Sequence, residues 1–278
     1  MKTGHDLAIA ETLGSRLVAS RMVGGGCIHQ ARRLDLSDGR VCFVKSGSGA
    51  AGLWLEAEAR GLALLAPVAR VPALLGGGTL DDGTSWLALE WLDLRPIDTA
   101  GWEDLGRQLA AMHGLLGRIF GLDSDNFIGA TPQSNRPDAS WLAFYLEQRL
   151  RPQIGLARAN GYDVPEKEIL GFAERRLVDH KPRPSLLHGD LWSGNAAALA
   201  GGGTVVFDPA PYFGDAETDL AMLELFGGPL PSAFFQGYGA EPDQRAERRP
   251  VYDLYHALNH LNLFGDSYAG MVRNCLRR

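Results

Sequence analysis

Three oxygen-bearing side chains two-thirds of the way along the chain have the types and spacing to move a phosphoryl group. They are Asp190, in Leu187-His188-Gly189-Asp190-Leu191-Trp192-Ser193-Gly194-Asn195; Asn195, five residues on; and Asp208, thirteen beyond that, closing Val205-Val206-Phe207. A loop carboxylate can accept the proton of an attacking hydroxyl. An amide oxygen and a second carboxylate are hard ligands of the kind magnesium takes while it is shared with substrate phosphates. Such a transfer depends mostly on alignment and charge neutralisation, so the trio implies a nucleotide cradle elsewhere in the chain. His188 reads as a brace of the loop and Asp219 as a partner of the loop backbone, because Asp190 already has the proton-accepting role.

The cradle is legible upstream. Gly24, Gly25 and Gly26, between Val23 and Cys27, leave backbone N–H groups able to approach an anion closely, and they open a hairpin signal. Its strands run through Leu34 and Leu36, turn at Ser37-Asp38-Gly39 and return through Val41 to Lys45. Lys45 is followed by an apolar-periodic segment, Leu53 to Leu65, that carries Glu56 and Glu58. A strand lysine on the nucleotide phosphates needs a helix glutamate to orient it. Glu56 and Glu58 lie about half a turn apart, so only one of them can face the strand. Two further strands, Ala73 to Leu80 and Ser85 to Glu90, lead to Glu90-Trp91-Leu92-Asp93. If this is the connection between two lobes, the main chain at Glu90 and Leu92 would pair with the edge of adenine.

Around these residues the chain reads as α+β: a small antiparallel sheet with one key helix over residues 1–92, then a larger, mainly helical part over 93–278. Periodicity predicts helices over 6–20, from Trp102 through Leu116 and Ile119, over 141–151 and 167–179, from Leu220 to Phe226, and from Tyr252 to Phe264. A hydrophobic fraction of 45% is ordinary for a globular protein, and a net charge of −6 with 27 scattered basic residues argues against nucleic acid. No apolar run is long enough to span a bilayer and the start lacks a signal-peptide centre, so no membrane is expected and a cytoplasmic location is. Cys27, Cys42 and Cys275 have no metal-ligand spacing. His256 and His260 sit four apart without a third ligand, which argues against zinc.

The form His188-Gly189-Asp190-Leu191 with Asn195 resembles the small-molecule kinases related to aminoglycoside phosphotransferases and choline kinases. A more particular resemblance is to the fructosamine kinase, or ketosamine-3-kinase, family. It is carried by Gly24 to Ile28, Phe43-Val44-Lys45, Asp125 to Gly129 with Pro132-Gln133 and Asn135, Trp141, His188 to Asn195, Asp208-Pro209-Ala210, Tyr212-Phe213-Gly214 with Glu217, Asp219 to Met222, and Leu261 to Gly265. The resemblance implies a bilobal protein-kinase-like fold, ATP and Mg2+ as cofactors, and transfer of the γ-phosphate to O3 of a ketosamine, on a small molecule or a glycated protein amine. It favours Glu58 as the lysine partner and offers Asn126 and Trp192 as acceptor contacts. Trp192 could equally be an aromatic that packs its own loop. The resemblance also suggests a redox-linked dimer through Cys27 as an alternative to a monomer. Rival readings are a kinase for an aminoglycoside, choline or homoserine, or a nucleotide-binding protein without catalysis.

Overall fold

A computed structural model describes residues 4–24 and 30–278; Gly25, Gly26 and Cys27, and with them the proposed redox link, lie outside the described residues. Helix α1 (Gly4–Thr12) precedes β1 (Leu17–Met22), β2 (Gln30–Leu36) and β3 (Val41–Gly47). Then come α2 (Ala51–Leu65), β4 (Leu74–Thr79) and β5 (Ser85–Glu90). These strands form one antiparallel sheet in the order β1-β2-β3-β5-β4. Its central strand, β3, places Lys45 between Ala31 of β2 and Leu87 of β5. The sheet is thus built around the strand that carries the lysine.

The helix expected over 6–20 is corrected here. It ends at Thr12, Gly14 turns the chain at φ 73°, and Leu17–Met22 is the edge strand β1. Positive φ costs an L-residue with a side chain but not glycine, so Gly14 stops the helix. Pairing with β2 then holds residues 17–22 extended.

The remaining elements are β6 (Leu94–Arg95), α3 (Thr99–Gly114), β7 (Asn126–Ile128) and β8 (Thr131–Gln133). Helix α4 (Trp141–Tyr145) runs through a π-helical turn (Leu146–Leu150) into α5 (Arg151–Ala159), and α6 (Glu166–Leu177) comes next. Strands β9 (Ser185–Leu187), β10 (Ala196–Leu199), β11 (Thr204–Val206) and β12 (Tyr212–Gly214) carry the site. Four helices close the chain: α7 (Glu217–Gly227), α8 (Ser232–Tyr238), α9 (Arg245–Phe264) and, after a 3-10 turn at Asp266–Tyr268, α10 (Ala269–Arg277). Helix α3 is capped by Asp98, whose side chain accepts from the Gly101 amide, and it stops at Gly114, short of the expected Ile119. The chain beyond it pairs with the start of β9: the Leu186 amide donates to Leu115 O and the Gly117 amide to Pro184 O. Leu116 and Ile119 are exposed at 43% and 44%, so their spacing marked no buried helical face.

One apolar cluster joins the two halves. Leu55, Leu62 and Leu65 of α2 and Leu87 and Leu89 of β5 pack with Leu105, Leu109 and Met112 of α3 and with Leu191 and Val206 beside the site. Gln108 of α3 adds a polar tie, accepting from the Arg70 amide and donating to Thr204 O. Burial at about 25 cal/mol per Å2 makes such a shared core costly to open. Among the described residues no helix is long and apolar enough to cross a membrane.

Candidate active site

Lys45 is buried at the end of β3, and its ammonium donates to both oxygens of Glu58, at 2.8 and 2.9 Å, and to Asp208 at 2.5 Å. Two residues earlier on α2, Glu56 points to solvent and pairs with Arg60. The helical half-turn therefore resolves the choice in favour of Glu58 as the lysine's partner. Burial opposes the charge on Lys45, but Asp208 and Glu58 outweigh it and raise its pKa, so the ammonium stays charged. Burial pushes the Glu58 carboxyl up, with Asp208 adding to the rise against the pull of Lys45.

Asp208 sits at φ 57°, a left-handed conformation that swings its carboxylate away from β11 toward Lys45. Burial works against its charge, yet the lysine holds its pKa below the usual carboxylate value, and 46% exposure of the side chain tempers the burial cost. Asn195 donates its amide N–H to Asp190 O at 2.8 Å, which commits the nitrogen to the loop and leaves the amide oxygen available. An amide oxygen and an ionised, half-open carboxylate form a donor set that fits a hard divalent cation.

Asp190 lies on the loop between β9 and β10. Burial, then the neighbouring Asp208 and Asp219 carboxylates, push its pKa up to about 7, against the lowering bond from Asn195. A base poised near neutrality suits proton abstraction from an alcohol. The loop is held from below by Asp219, which accepts from the amides of His188 at 2.7 Å and Gly189 at 2.9 Å and pairs with His113 at 3.2 Å. His113 in turn meets the Tyr238 hydroxyl at 3.0 Å, so it is part of the scaffold. The buried His188 ring is fixed at both nitrogens: Nε2 bonds Phe207 O at 3.1 Å, and Nδ1 accepts from the Asp190 amide at 3.3 Å. Burial lowers its pKa, and a neutral ring with Nε2–H satisfies both bonds.

Gly189 has φ 82°, and a Cβ there would lie 2.0 Å from Ala210 O. We expect Gly189→Ala to destabilise the protein by roughly 3 kcal/mol or more, combining strain with a backbone clash. A urea midpoint close to wild type would refute this.

Asn126 is buried on β7 and donates to Pro211 O at 2.8 Å, while its oxygen accepts from Gln133 at 2.8 Å and Asn135 at 3.0 Å. Gln133 also donates to Ala210 O and accepts from Tyr255. The structure thus places Asn126 in a buried network behind the segment after Asp208, not as an open polar group. Arg149, fully buried on the π turn, completes that network by donating to Asn135 at 2.8 Å and stacking 3.8 Å over Tyr212. Neither Arg149 nor Tyr255 carries a local sequence signal, because only the fold brings them to residues 126–135. Trp192 is 39% exposed and meets Phe226 edge-on at 6.2 Å.

Glu90 holds Arg70 through both carboxylate oxygens at 2.7 Å, and its amide donates to Ala73 O, so its side chain serves the sheet and the turn beside it. Leu92 is partly buried just beyond β5. Gly24 is exposed, and among the described residues no neighbour lies within 4 Å of where its Cβ would be. His180, Asp215 and Glu217 also cluster, but Arg248 pairs with Glu217 and Tyr252 donates to Asp215, so that group is already compensated.

An antiparallel sheet whose lysine pairs with a helix glutamate, together with loops between short strands that present Asp190, Asn195 and Asp208, defines a phosphotransferase of the protein-kinase-like class. The family model described as fructosamine kinase matches residues 2–278. The chain belongs to the fructosamine kinase family. It is 43% identical to a "Probable ketoamine kinase" of Synechocystis sp., over 97% of this chain and 95% of that one. It is 38% identical to another so named from Vibrio cholerae, over 97% and 96%. A provisionally named fructosamine-3-kinase from Thermobifida fusca superposes with a TM-score of 0.85 at 33% identity, covering 97% of each chain. One from Haemophilus somnus gives 0.88 at 27%, covering 97% and 95%. An aminoglycoside phosphotransferase, at 16% identity with a TM-score of 0.65 over 97% and 96%, shares the fold.

Proposed function

We propose that this protein is an ATP-dependent ketosamine kinase that phosphorylates O3 of its acceptor. The observation that supports it most is the meeting of the Lys45–Glu58 pair, the Asp208 carboxylate and the Asp190–Asn195 loop in a chain of this family. In this reading Gly24, Gly25 and Gly26 offer amides to the phosphates, Lys45 neutralises the α- and β-phosphates under the hold of Glu58, and the main chain at Glu90 and Leu92 receives adenine. Asn195 and Asp208 hold Mg2+, which when bound shields the phosphate charge. Asp190 accepts the O3 proton as the new O3–P bond forms and the bond from the γ-phosphorus to ADP breaks. Trp192 faces the acceptor. Residues 1–92 then serve as the nucleotide lobe and 93–278 as the catalytic and acceptor lobe.

The product chemistry gives the reaction a purpose. A phosphate on C3, a carbon α to the C2 carbonyl, becomes allylic once C1 loses a proton to give the C1=C2 enaminol; the nitrogen lone pair then expels phosphate from C3, and hydrolysis of the resulting unsaturated C1=N iminium frees the amine. The reading therefore includes deglycation.

ADP release should depend on fructosyl-, ribulosyl- or erythrulosyl-amines and not on choline or an aminoglycoside, with phosphorus NMR placing the phosphate on C3. Turnover confined to choline or the aminoglycoside would remove the assignment. Excess EDTA should abolish turnover and added Mg2+ should restore it; activity unaffected by the chelator would contradict the roles given to Asn195 and Asp208.

A further inference from the structure

Trp192 begins a run of rings that leads away from the site. Its six-membered ring lies directly against Gly194, where a Cβ would come within 2.2 Å, so that glycine seats the indole. From Trp192 the contacts pass to Phe226 at the end of α7 at 6.2 Å, then to His260 of α9 at 4.9 Å. His260 meets Phe264 at 5.5 Å and Tyr268 at 5.1 Å, and those two rings are 5.9 Å apart. These side chains come from four separate elements, and Trp192, Phe226 and Phe264 remain 39%, 37% and 49% exposed. A contiguous exposed aromatic surface running from a catalytic loop marks a binding site more often than chance exposure.

We infer that these five rings form a subsite for the amine-side arm of the acceptor, and that they select ketosamines carried on a long or peptide-borne amine over those of short amines. The inference rests on the ketosamine reading of the site. Trp192 lies two residues after the proposed base and its amide donates to Asp190 O, so base and indole share one turn of the loop, and in this assignment the nitrogen side of a sugar at Asp190 lies toward the indole. That nitrogen is a secondary ammonium, and aromatic faces attract alkylammonium groups. None of the five residues is a lysine or arginine, and His260 donates Nδ1–H to His256 O at 2.8 Å while partial burial lowers its pKa, so the five rings themselves bring no competing cation. Length decides the arm. The surface extends through three successive ring contacts, which an extended peptide, advancing about 3.3 Å per residue, can track and a methyl group cannot.

The test compares two acceptors bearing the same sugar, one on methylamine and one on the Nε of lysine within an acetylated nonapeptide. The wild-type kcat/KM should favour the peptide about tenfold or more, and Phe264→Ala should lower it for the peptide about 5- to 10-fold, the scale of one lost aromatic contact, leaving the methylamine acceptor and the KM for ATP unchanged. Phe264→Leu should fall between, and Phe226→Ala should behave as Phe264→Ala does; melting temperatures within a few degrees of wild type show that the fold is kept. Equal wild-type values for the two acceptors, or equal losses on both, would overturn the inference while leaving the ketosamine kinase intact. Turnover of neither acceptor, with ATP consumed on another alcohol, would remove the ketosamine assignment and the inference together.

Discussion

Asp190→Asn is expected to lower kcat about 10³-fold while leaving the folded protein as stable as wild type or more so, because the asparagine keeps the shape and removes only the proton acceptor. The stability half of this prediction comes from the sign of the pKa shift. The folded-state carboxyl is raised from 3.8 to about 7, by burial first and then by Asp208 and Asp219. Between those values the folded state binds the proton more tightly than the unfolded chain. This group therefore contributes its stabilisation at low pH, and the contribution is lost as pH rises toward and through 7. Asp190→Asn removes that penalty, so its melting temperature should exceed that of wild type more at pH 8 than at pH 5. In the wild type, kcat/KM should rise with pH through the neutral range as the base becomes free, and the metal, once bound, should move that limb downward. Full turnover in Asp190→Asn would eliminate Asp190 as the base. A large drop in melting temperature would instead show that its charge supports the loop.

Lys45→Met should damage both activity and fold. Loss of the cation proposed to face the phosphates is expected to lower kcat/KM by about 10² to 10³, the scale of removing one preorganised electrostatic contact. The same change leaves Glu58, with its side chain 10% exposed, beside Asp208 with no ammonium between them. Breaking a buried pair on one side costs about 3 kcal/mol or more, and the half-open Asp208 contributes less to that figure than Glu58. Because Glu58 can take up a proton, the deficit should shrink as pH falls from 8 to 5. Lys45→Met/Glu58→Gln should recover most of the stability and none of the activity. Denaturation curves for the three proteins at the two pH values measure this; equal destabilisation of the single and double variants would show that the buried charge is not the cause.

The scaffold beneath the site explains why these effects should be local. Asp219 on α7 fixes two amides of the Asp190 loop, and His188 bridges that loop to Phe207, one residue before Asp208. The proposed base and the proposed metal ligand are therefore held in register by main-chain contacts. Substitution of either side chain leaves those contacts in place.

The chemistry proposed for this protein is legible in its sequence alone wherever a role follows from residue type at short spacing. Asp190 with Asn195, Lys45 after a hairpin, and the antiparallel sheet with its one key helix are local patterns, and alternation or helical periodicity reports them directly. Local pattern misled where a long-range partner was the deciding force. Residues 17–22 became a strand because β2 was available to pair with them, and the chain after Gly114 left its helix to join β9. Spacing left Glu56 and Glu58 open and the resemblance favoured Glu58; tertiary structure shows the pairing directly, since the direction in which a helix faces a sheet is a property of packing. It also turned Asn126 from an open acceptor contact into a buried brace tied to Gln133, Asn135 and Pro211. The same holds for the rings beyond Trp192: Phe226, His260, Phe264 and Tyr268 are far from it in sequence and meet only because α7 and α9 end at the same place, beside the loop that carries Asp190.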